Sequence, residues 1–235
     1  YRLCTRGKLR ALASANTKRT ALLLTLLCAA VNLAWVLAVR IEPFSDYETY
    51  WQTACALASG GEIDAPWYIA MYPHILGCST FLSAFLKIFG EHVMVAAVIN
   101  VILTCLSGLL IYSICLRLAS PLTAALAYLL WIVCPSKMML NPLVFSEPLY
   151  TCLVLLFFYL IVLIEQQRGS LPRRLGVCLL WGLALGVLLR AVNIVRPISA
   201  ILIIALVLWL LFLRGHDIKD GAQWKMWLVI LVALL

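Results

Sequence analysis

Two acidic residues stand where this sequence could place a reactive carboxylate. Asp46 lies in the Phe-Ser-Asp-Tyr-Glu segment 44–48, and Glu147 lies in the Phe-Ser-Glu-Pro segment 145–148. Each is next to a long apolar stretch. A carboxylate in such a setting can act as a general base, stabilise developing positive charge, or help to bind a divalent cation. The two acids can act together only if they face the same compartment.

The composition predicts a membrane protein. Of the 235 residues 65% are apolar and only 12% are charged, with a net charge of +8. The apolar residues come in long runs instead of the spacing of a soluble amphipathic helix. A water-soluble fold would need more charged surface than this chain has.

Seven apolar runs are candidates for membrane-spanning helices, each of which needs roughly 20 residues. They are 20–39, 93–116, 122–134, 149–164, 175–195, 198–213 and 226–235. The sequence therefore predicts an all-α, polytopic membrane protein with about seven transmembrane helices in a single domain, 1–235. The last run stops with the chain at Leu235, and we expect that helix to continue beyond it.

The segment 73–89 decides the sidedness of everything that follows. If it does not cross the membrane, 13 of the 18 Lys and Arg residues lie on the side of the N-terminus, which favours a cytoplasmic N-terminus. A polar stripe and an apolar stripe along the segment favour a helix in the outer interface. The polar stripe is Gly77, Thr80, Ser83 and Lys87, and the apolar stripe is Ile75, Leu82, Leu86 and Phe89.

This topology puts the first loop, 40–91, outside together with the connection 135–148. Within the loop, 45–61 is predicted as a short interfacial helix with an aromatic-rich face. Ser45 and Glu48 have the spacing of a capping box, and Gly60-Gly61 ends the helix. Asp46 then stands at the start of this helix. A purely structural role is open for Asp46, which would complement the helix dipole, and for Glu48, which would cap the helix.

At this point the chain resembles a known family. A basic N-terminus, one membrane helix, an outer loop that opens with an Asp-Tyr-Glu helix, the Tyr-Pro-His segment 72–74 and then Ser-Glu-Pro at 146–148 are similar to the GT-C glycosyltransferases. The protein O-mannosyltransferase and aminoarabinose-transferase branch is the most similar. Asp46 matches the family's first acidic position and Glu147 its second, where many relatives have Asp.

The resemblance implies a glycosyltransferase that uses polyprenyl-phosphate sugars at the outer membrane face. Asp46 would be the general base, and Glu147 would orient the acceptor or help to hold a divalent cation. Two carboxylates alone are a weak metal signature, so no metal ligand is assigned; no cofactor is certain, and a divalent cation stays possible. A structural alternative for Glu147 is capping of the helix that starts near Pro148.

The donor's phosphate calls for cations at the same depth, and Arg190 and Arg196 flank the outer end of the run 175–195. A charge within a membrane span costs at least ~2.5 kcal/mol on insertion scales, so a functional or paired role is the default. Guanidinium groups bind phosphate oxygens at two points. Snorkelling to the headgroups is the alternative. The further candidate substrate-binding residues are Glu48, Tyr72 and His74.

Other classes of function stay open at this level. A polytopic transporter or lipid flippase would use the same charges as pathway residues, and a non-catalytic membrane subunit would need none of them. We expect a multi-pass integral membrane protein, in the plasma membrane if the source is bacterial. Its partners would be a polyprenyl-phosphate-linked sugar donor, membrane lipids and an acceptor that is a protein, a lipid or a cell-wall polymer, and no nucleic acid.

Overall fold

The computed structural model describes residues 17–64, 66–167, 175–213 and 221–234, and the regular secondary structure of these residues is α-helical. The helices are α1 (Thr17–Ala38), α2 (Asp46–Ser59), α3 (Pro66–Met71), α4 (His74–Phe89), α5 (Val93–Leu118), α6 (Pro121–Ile132), α7 (Pro135–Leu140), α8 (Glu147–Gln167), α9 (Leu175–Val195), α10 (Ser199–Leu213) and α11 (Gly221–Leu234). The predicted all-α class is confirmed for these residues.

Four of these helices, α1, α5, α8 and α9, are long and apolar enough to cross a membrane. The other three predicted runs form shorter helices, α6, α10 and α11. Seven crossings therefore stay a prediction. The chain divides into two compact units, Tyr1–Leu156 and Phe157–Leu235, and a single domain over 1–235 is likewise a prediction.

The core of the first unit lies where α1, α5 and α6 pack on one another. Tyr128 of α6 is completely buried, and its hydroxyl lies 3.2 Å from Thr25 Oγ1 and 3.1 Å from the Cys105 carbonyl oxygen. The Tyr112 hydroxyl of α5 donates to the Thr17 carbonyl oxygen at 3.0 Å. These bonds satisfy the polar ends of two large rings inside an apolar interface, where an unpaired hydroxyl would be costly.

The helix α6 is too short to follow α5 to its end. It has 12 residues and is about 18 Å long, whereas α5 has 26 residues and is about 39 Å long. The indole N–H of Trp131, near the end of α6, donates to the Thr104 carbonyl oxygen at 2.9 Å. Thr104 lies about 16 Å from one end of α5 and about 21 Å from the other. The connection 133–146 between α6 and α8 therefore begins beside the middle of α5.

Gly108 allows α5 and α6 to approach closely. A Cβ at this position would overlap the buried Tyr128 ring. We expect Gly108→Ala to destabilise the protein by about 1–3 kcal/mol, as over-packing does. Gly176→Ala is a matched control, because a Cβ there meets nothing within 4 Å. Thermal unfolding of both variants in detergent tests this, and an unchanged melting temperature for Gly108→Ala would contradict it.

The helices of the first loop pack on each other. The helix α2 lies against α4, with Tyr50 and Ala54 buried and the Ser79 hydroxyl donating to the Tyr50 carbonyl oxygen at 2.9 Å. Part of the predicted aromatic face of α2 thus contacts protein. The predicted polar stripe of α4 is wrong at Ser83, which is buried, whereas Phe89 of the apolar stripe is 63% exposed, as an interfacial helix allows. Small serine side chains fit a close helix pair, which periodicity alone does not reveal.

The ends of α2 agree with prediction at one side only. Gly60 ends the helix in the left-handed region with φ 75°, as expected, and its N–H donates to the Ala56 carbonyl oxygen. The predicted capping box is wrong. Ser45 has φ 52° and its side chain makes no capping hydrogen bond, while the Glu48 carboxylate accepts from Gln52 Nε2 at 2.9 Å. A positive φ turns the serine hydroxyl away from the amides that a capping box requires.

Candidate functional site

Asp46 is the first residue of α2 and its side chain is exposed. The hydroxyl of Tyr68, which lies on the short helix α3, donates to Asp46 Oδ1 at 3.3 Å. Two elements of the first loop therefore fix the environment of this carboxylate. Asp46 thus stands in the first turn of α2, where its carboxylate is open to an acceptor.

A row of aromatic side chains extends from this carboxylate to two further candidate residues. The rings of Tyr68 and Tyr72 are 4.8 Å apart between centroids, and Tyr72 meets the His74 ring edge-on at 6.2 Å. The structure thus connects Asp46, Tyr72 and His74 through Tyr68. Sequence reasoning missed Tyr68, although its i, i+4 spacing to Tyr72 places both on one helical face.

The Tyr68 phenol is a hydrogen-bond donor at neutral pH. Partial burial and the nearby Asp46 carboxylate raise the pKa of Tyr68 above its ordinary value, so the phenol stays protonated and can donate to Asp46. We expect Tyr68→Phe to lower the transfer rate by about 3- to 10-fold, because one hydrogen bond that orients the carboxylate is lost. The measurement is the rate at saturating donor. A wild-type rate in a folded variant would show that this bond does not orient the base.

The second acidic segment meets the first through Phe145. Its ring packs edge-on against Tyr47, at 5.0 Å between centroids, and against Tyr50, at 5.7 Å. Tyr47 follows Asp46 directly in the sequence, and Phe145 precedes Glu147 by two residues. The two acidic motifs are therefore neighbours in the first unit. Edge-to-face aromatic pairs of this kind contribute about 0.5–1.5 kcal/mol beyond the area they bury.

A buried polar network holds the chain just before this segment. Asn141 is completely buried; its Nδ2 donates to Asn32 Oδ1 at 2.6 Å, and its Oδ1 accepts from the Thr104 hydroxyl at 2.8 Å. Asn100 Nδ2 donates to the carbonyl oxygens of Asn141 and Leu143, at 3.2 and 2.7 Å. Non-helical backbone among membrane helices requires such partners. The network fixes 141–143 to α1 and α5, and sequence reasoning missed it.

Glu147 is the first residue of α8. Its side chain is half-buried and its Oε2 atom is shielded from solvent. The helix begins at the buried Ser146, whose carbonyl oxygen accepts from the Tyr150 N–H at 2.9 Å. Glu147 is thus in the first turn of a helix, where a negative charge is favoured. This position fits both the predicted site role and the structural alternative.

Three other candidates are not brought to this cluster by the contacts of the first unit. Glu48 is exposed and bonded to Gln52 on its own helix. Arg190 and Arg196 belong to the second unit. Arg190 is exposed on the same side of α9 as Leu183 and Val187, and its role in phosphate binding stays a prediction.

The described residues include no group of three or more His, Cys, Asp and Glu side chains that could hold a metal ion. Asp46 and Glu147 therefore have no third protein ligand of these types in that part of the chain.

A cavity of about 370 Å³ lies where α1 ends and α5 begins. Its charged and titratable lining residues are Arg40, Glu42, Glu91 and His92. Asp46 and Glu147 are not among the residues that line it. The cavity is large enough for a small polar group, but it is separate from the two acidic motifs.

Comparison with known proteins found one family to which the chain is similar. A family model described as dolichyl-phosphate-mannose-protein mannosyltransferase matches residues 74–235. His74, Glu147, Arg190 and Arg196 lie within the matched stretch, whereas Asp46, Glu48 and Tyr72 precede it. No curated protein and no solved structure matches the chain.

The match covers well over half of the chain, and it agrees with the apolar helices that are long enough to span a membrane. It also agrees with the resemblance found in the sequence. The chain is therefore an integral membrane glycosyltransferase of the GT-C type and belongs to the dolichyl-phosphate-mannose-protein mannosyltransferase family.

Proposed function

We propose that this protein moves a glycosyl unit from a polyprenyl-phosphate donor to an acceptor at the extracytoplasmic face of the membrane. The observation that carries the proposal is the contact of Phe145 with Tyr47 and Tyr50, which makes the Asp46 and Glu147 motifs neighbours. The family match supports a mannose-type donor as the first to test.

Asp46 is the general base in this proposal. Its carboxylate takes the proton of the acceptor hydroxyl while the acceptor oxygen forms a bond to the anomeric carbon. The bond between that carbon and the phosphate oxygen breaks, and the polyprenyl phosphate leaves with the electron pair. Because attack and departure occur in one displacement, the configuration at the sugar carbon is inverted. The negative carboxylate also favours the positive charge that develops at the sugar.

The remaining candidates bind and orient the substrates. Glu147 orients the acceptor beside Asp46. The aromatic and imidazole groups of Tyr72 and His74 contact the sugar, and Glu48 offers a further acceptor for sugar hydroxyls. Arg190 and Arg196 bind donor phosphate through two-point guanidinium contacts.

The sidedness follows from charge. The first loop, 40–91, carries six acidic and two basic residues, and a non-crossing α4 puts 13 of the 18 Lys and Arg residues on the side of the N-terminus. The positive-inside rule then puts the loop, and with it Asp46, outside. We propose a cytoplasmic N-terminus and an interfacial position for α4 on this basis.

The decisive experiment is a transfer assay in sealed liposomes that contain the purified chain and a labelled polyprenyl-phosphate mannose. A Ser/Thr-containing peptide is added outside. Vesicles with the first loop outward are identified by labelling Glu62→Cys with an impermeant maleimide, with the unmodified chain as the background for native cysteines. We expect a glycosylated product with inverted configuration at the anomeric carbon. Its amount should be proportional to the fraction of protein with the first loop outward.

Transfer that follows the opposite orientation would overturn the sidedness. A complete lack of transfer with this donor, for peptide, lipid and polymer acceptors alike, would overturn the proposed reaction. A sugar donor without the lipid, at the same concentration, is the matched control for donor class.

A further inference from the structure

We propose that Lys137 binds the phosphate of the lipid donor. This inference rests on the proposed function and concerns a residue of the first unit. Lys137 lies on the short helix α7, between the end of α6 and the segment that carries Glu147. The sequence predicts only that it lies outside, with the connection 135–148.

The position of α7 along α5 sets the depth of Lys137. The helix α7 follows α6 directly, and α6 ends beside the middle of α5, where the Trp131 indole N–H donates to the Thr104 carbonyl oxygen. On the other side of α7, Asn141 accepts from the Thr104 hydroxyl. Both ends of α7 are therefore fixed to the same residue of α5, about 16 Å from the nearer end of that helix. If α5 spans the membrane, Lys137 lies at hydrocarbon depth.

The positive charge of Lys137 calls for a partner or a ligand at this depth. A lysine within the membrane is costly enough that a partner or a ligand is the default expectation. Among the described residues no carboxylate forms an ion pair with Lys137. Its Nζ instead lies 5.5 Å from the centroid of the Trp131 ring. A cation–π contact offsets only part of this cost, and it leaves ammonium N–H groups directed away from the ring.

The residues around Lys137 suit a phosphate group. Lys137 lines a narrow cleft with three hydroxyl side chains, those of Thr104, Ser107 and Thr151, and with Pro148, the neighbour of Glu147. The Thr104 hydroxyl donates to Asn141, and a cation beside the remaining two hydroxyls suits the oxygens of a phosphate. The cleft itself has room for about one water-sized group, so the phosphate would sit at its mouth, where Lys137 is half-exposed.

The surface close to α7 suits the apolar tail of the lipid. Large apolar side chains close to α7 in sequence are strongly exposed, namely Leu130 at 70%, Val133 at 64% and Met139 at 61%. An isoprenoid tail can lie along such a surface while its phosphate meets the lysine. The class of ligand is therefore an isoprenoid lipid with a phosphate head, which is the donor and the leaving group of the proposed reaction.

Binding of polyprenyl phosphate without a sugar to the purified full chain tests the inference. Lys137→Met keeps the length of the side chain and removes the charge, and we expect it to weaken this binding by about tenfold or more, as the loss of a charged hydrogen bond does. Lys137→Arg should retain most of the affinity. Lys87→Met, at an exposed lysine of the first loop, should bind like the unmodified chain. Polyprenol, which lacks the phosphate, should bind the Lys137→Met variant and the unmodified chain equally.

Equal affinity of Lys137→Met and the unmodified chain for polyprenyl phosphate would overturn this inference and leave the proposed function standing if transfer proceeds. An equal loss for phosphatidic acid would mark Lys137 as a general headgroup anchor and would also overturn it. If the unmodified chain neither binds polyprenyl phosphate nor transfers sugar, both the inference and the proposed function fail. The thermal melting temperature of each variant separates misfolding from lost binding.

Discussion

Asp46→Asn is expected to lower glycosyl transfer by about 10²-fold or more while the protein stays folded and still binds its lipid donor. The amide has nearly the shape of the carboxylate and can still accept a hydrogen bond from Tyr68, which lies 3.3 Å from Oδ1. It cannot take a proton from the acceptor. General-base catalysis typically contributes 10²–10⁴-fold, which sets the expected loss.

Asp64→Asn is the matched control for this variant. It makes the same chemical change at an exposed residue of the same loop, so it removes the same charge from the external face. Transfer is measured with a labelled lipid-linked sugar, and donor binding is measured separately. Normal turnover in Asp46→Asn, or an equal loss in both variants, would show that Asp46 serves only the helix dipole or the charge of the loop.

The second large effect is expected from Asn141→Ala. The change removes two side-chain hydrogen bonds and leaves Asn32 Oδ1 and the Thr104 hydroxyl without the partner that they have in the structure. Hydrogen bonds between membrane helices contribute about 0.6–2 kcal/mol each, so the loss of stability should be about 1–4 kcal/mol. Transfer should fall by about tenfold or more, because Asn141 fixes the chain that leads to Phe145 and Glu147.

A double-mutant cycle makes this prediction specific. If Asn32 and Asn141 act as one unit, Asn32→Ala together with Asn141→Ala should cost less stability than the two single changes added. Asn193→Ala, which removes a hydrogen bond from Ser199 in the second unit, controls for the loss of a polar contact elsewhere. Additive losses, or full transfer activity in Asn141→Ala, would show that the network does not position the Glu147 segment.

The residues that the structure adds to the site were hard to find from the sequence. Tyr68, Lys137 and Asn141 are ordinary residue types in positions that no motif marks. Asn141 and Asn32 are 109 residues apart, and neither polar side chain indicates its partner. The aromatic contacts of Phe145 with Tyr47 and Tyr50 also join residues that are far apart in the sequence. Side-chain pairing of this range depends on which helices meet.

Where the sequence prediction failed, tertiary packing had changed a local preference. Ser45 has capping-box spacing to Glu48, yet its positive φ turns the hydroxyl away. Ser83 was assigned to a polar face of α4, but it is buried as a small residue among helices. In each case the residue type was read correctly and its neighbours were not.

The sequence by itself determined the all-helical class, the apolar runs, the Gly60 end of α2 and the two acidic motifs, which also point to the family. These features are local, because helical hydrogen bonds join residues four apart and apolar runs need no distant partner. Only the tertiary structure decided that α6 stops beside the middle of α5, that Phe145 lies against Tyr47, and that Asn141 is held by Asn32 and Thr104. Those outcomes depend on how side chains from separate helices fit and satisfy one another's polar groups, and no spacing along one helix encodes that fit.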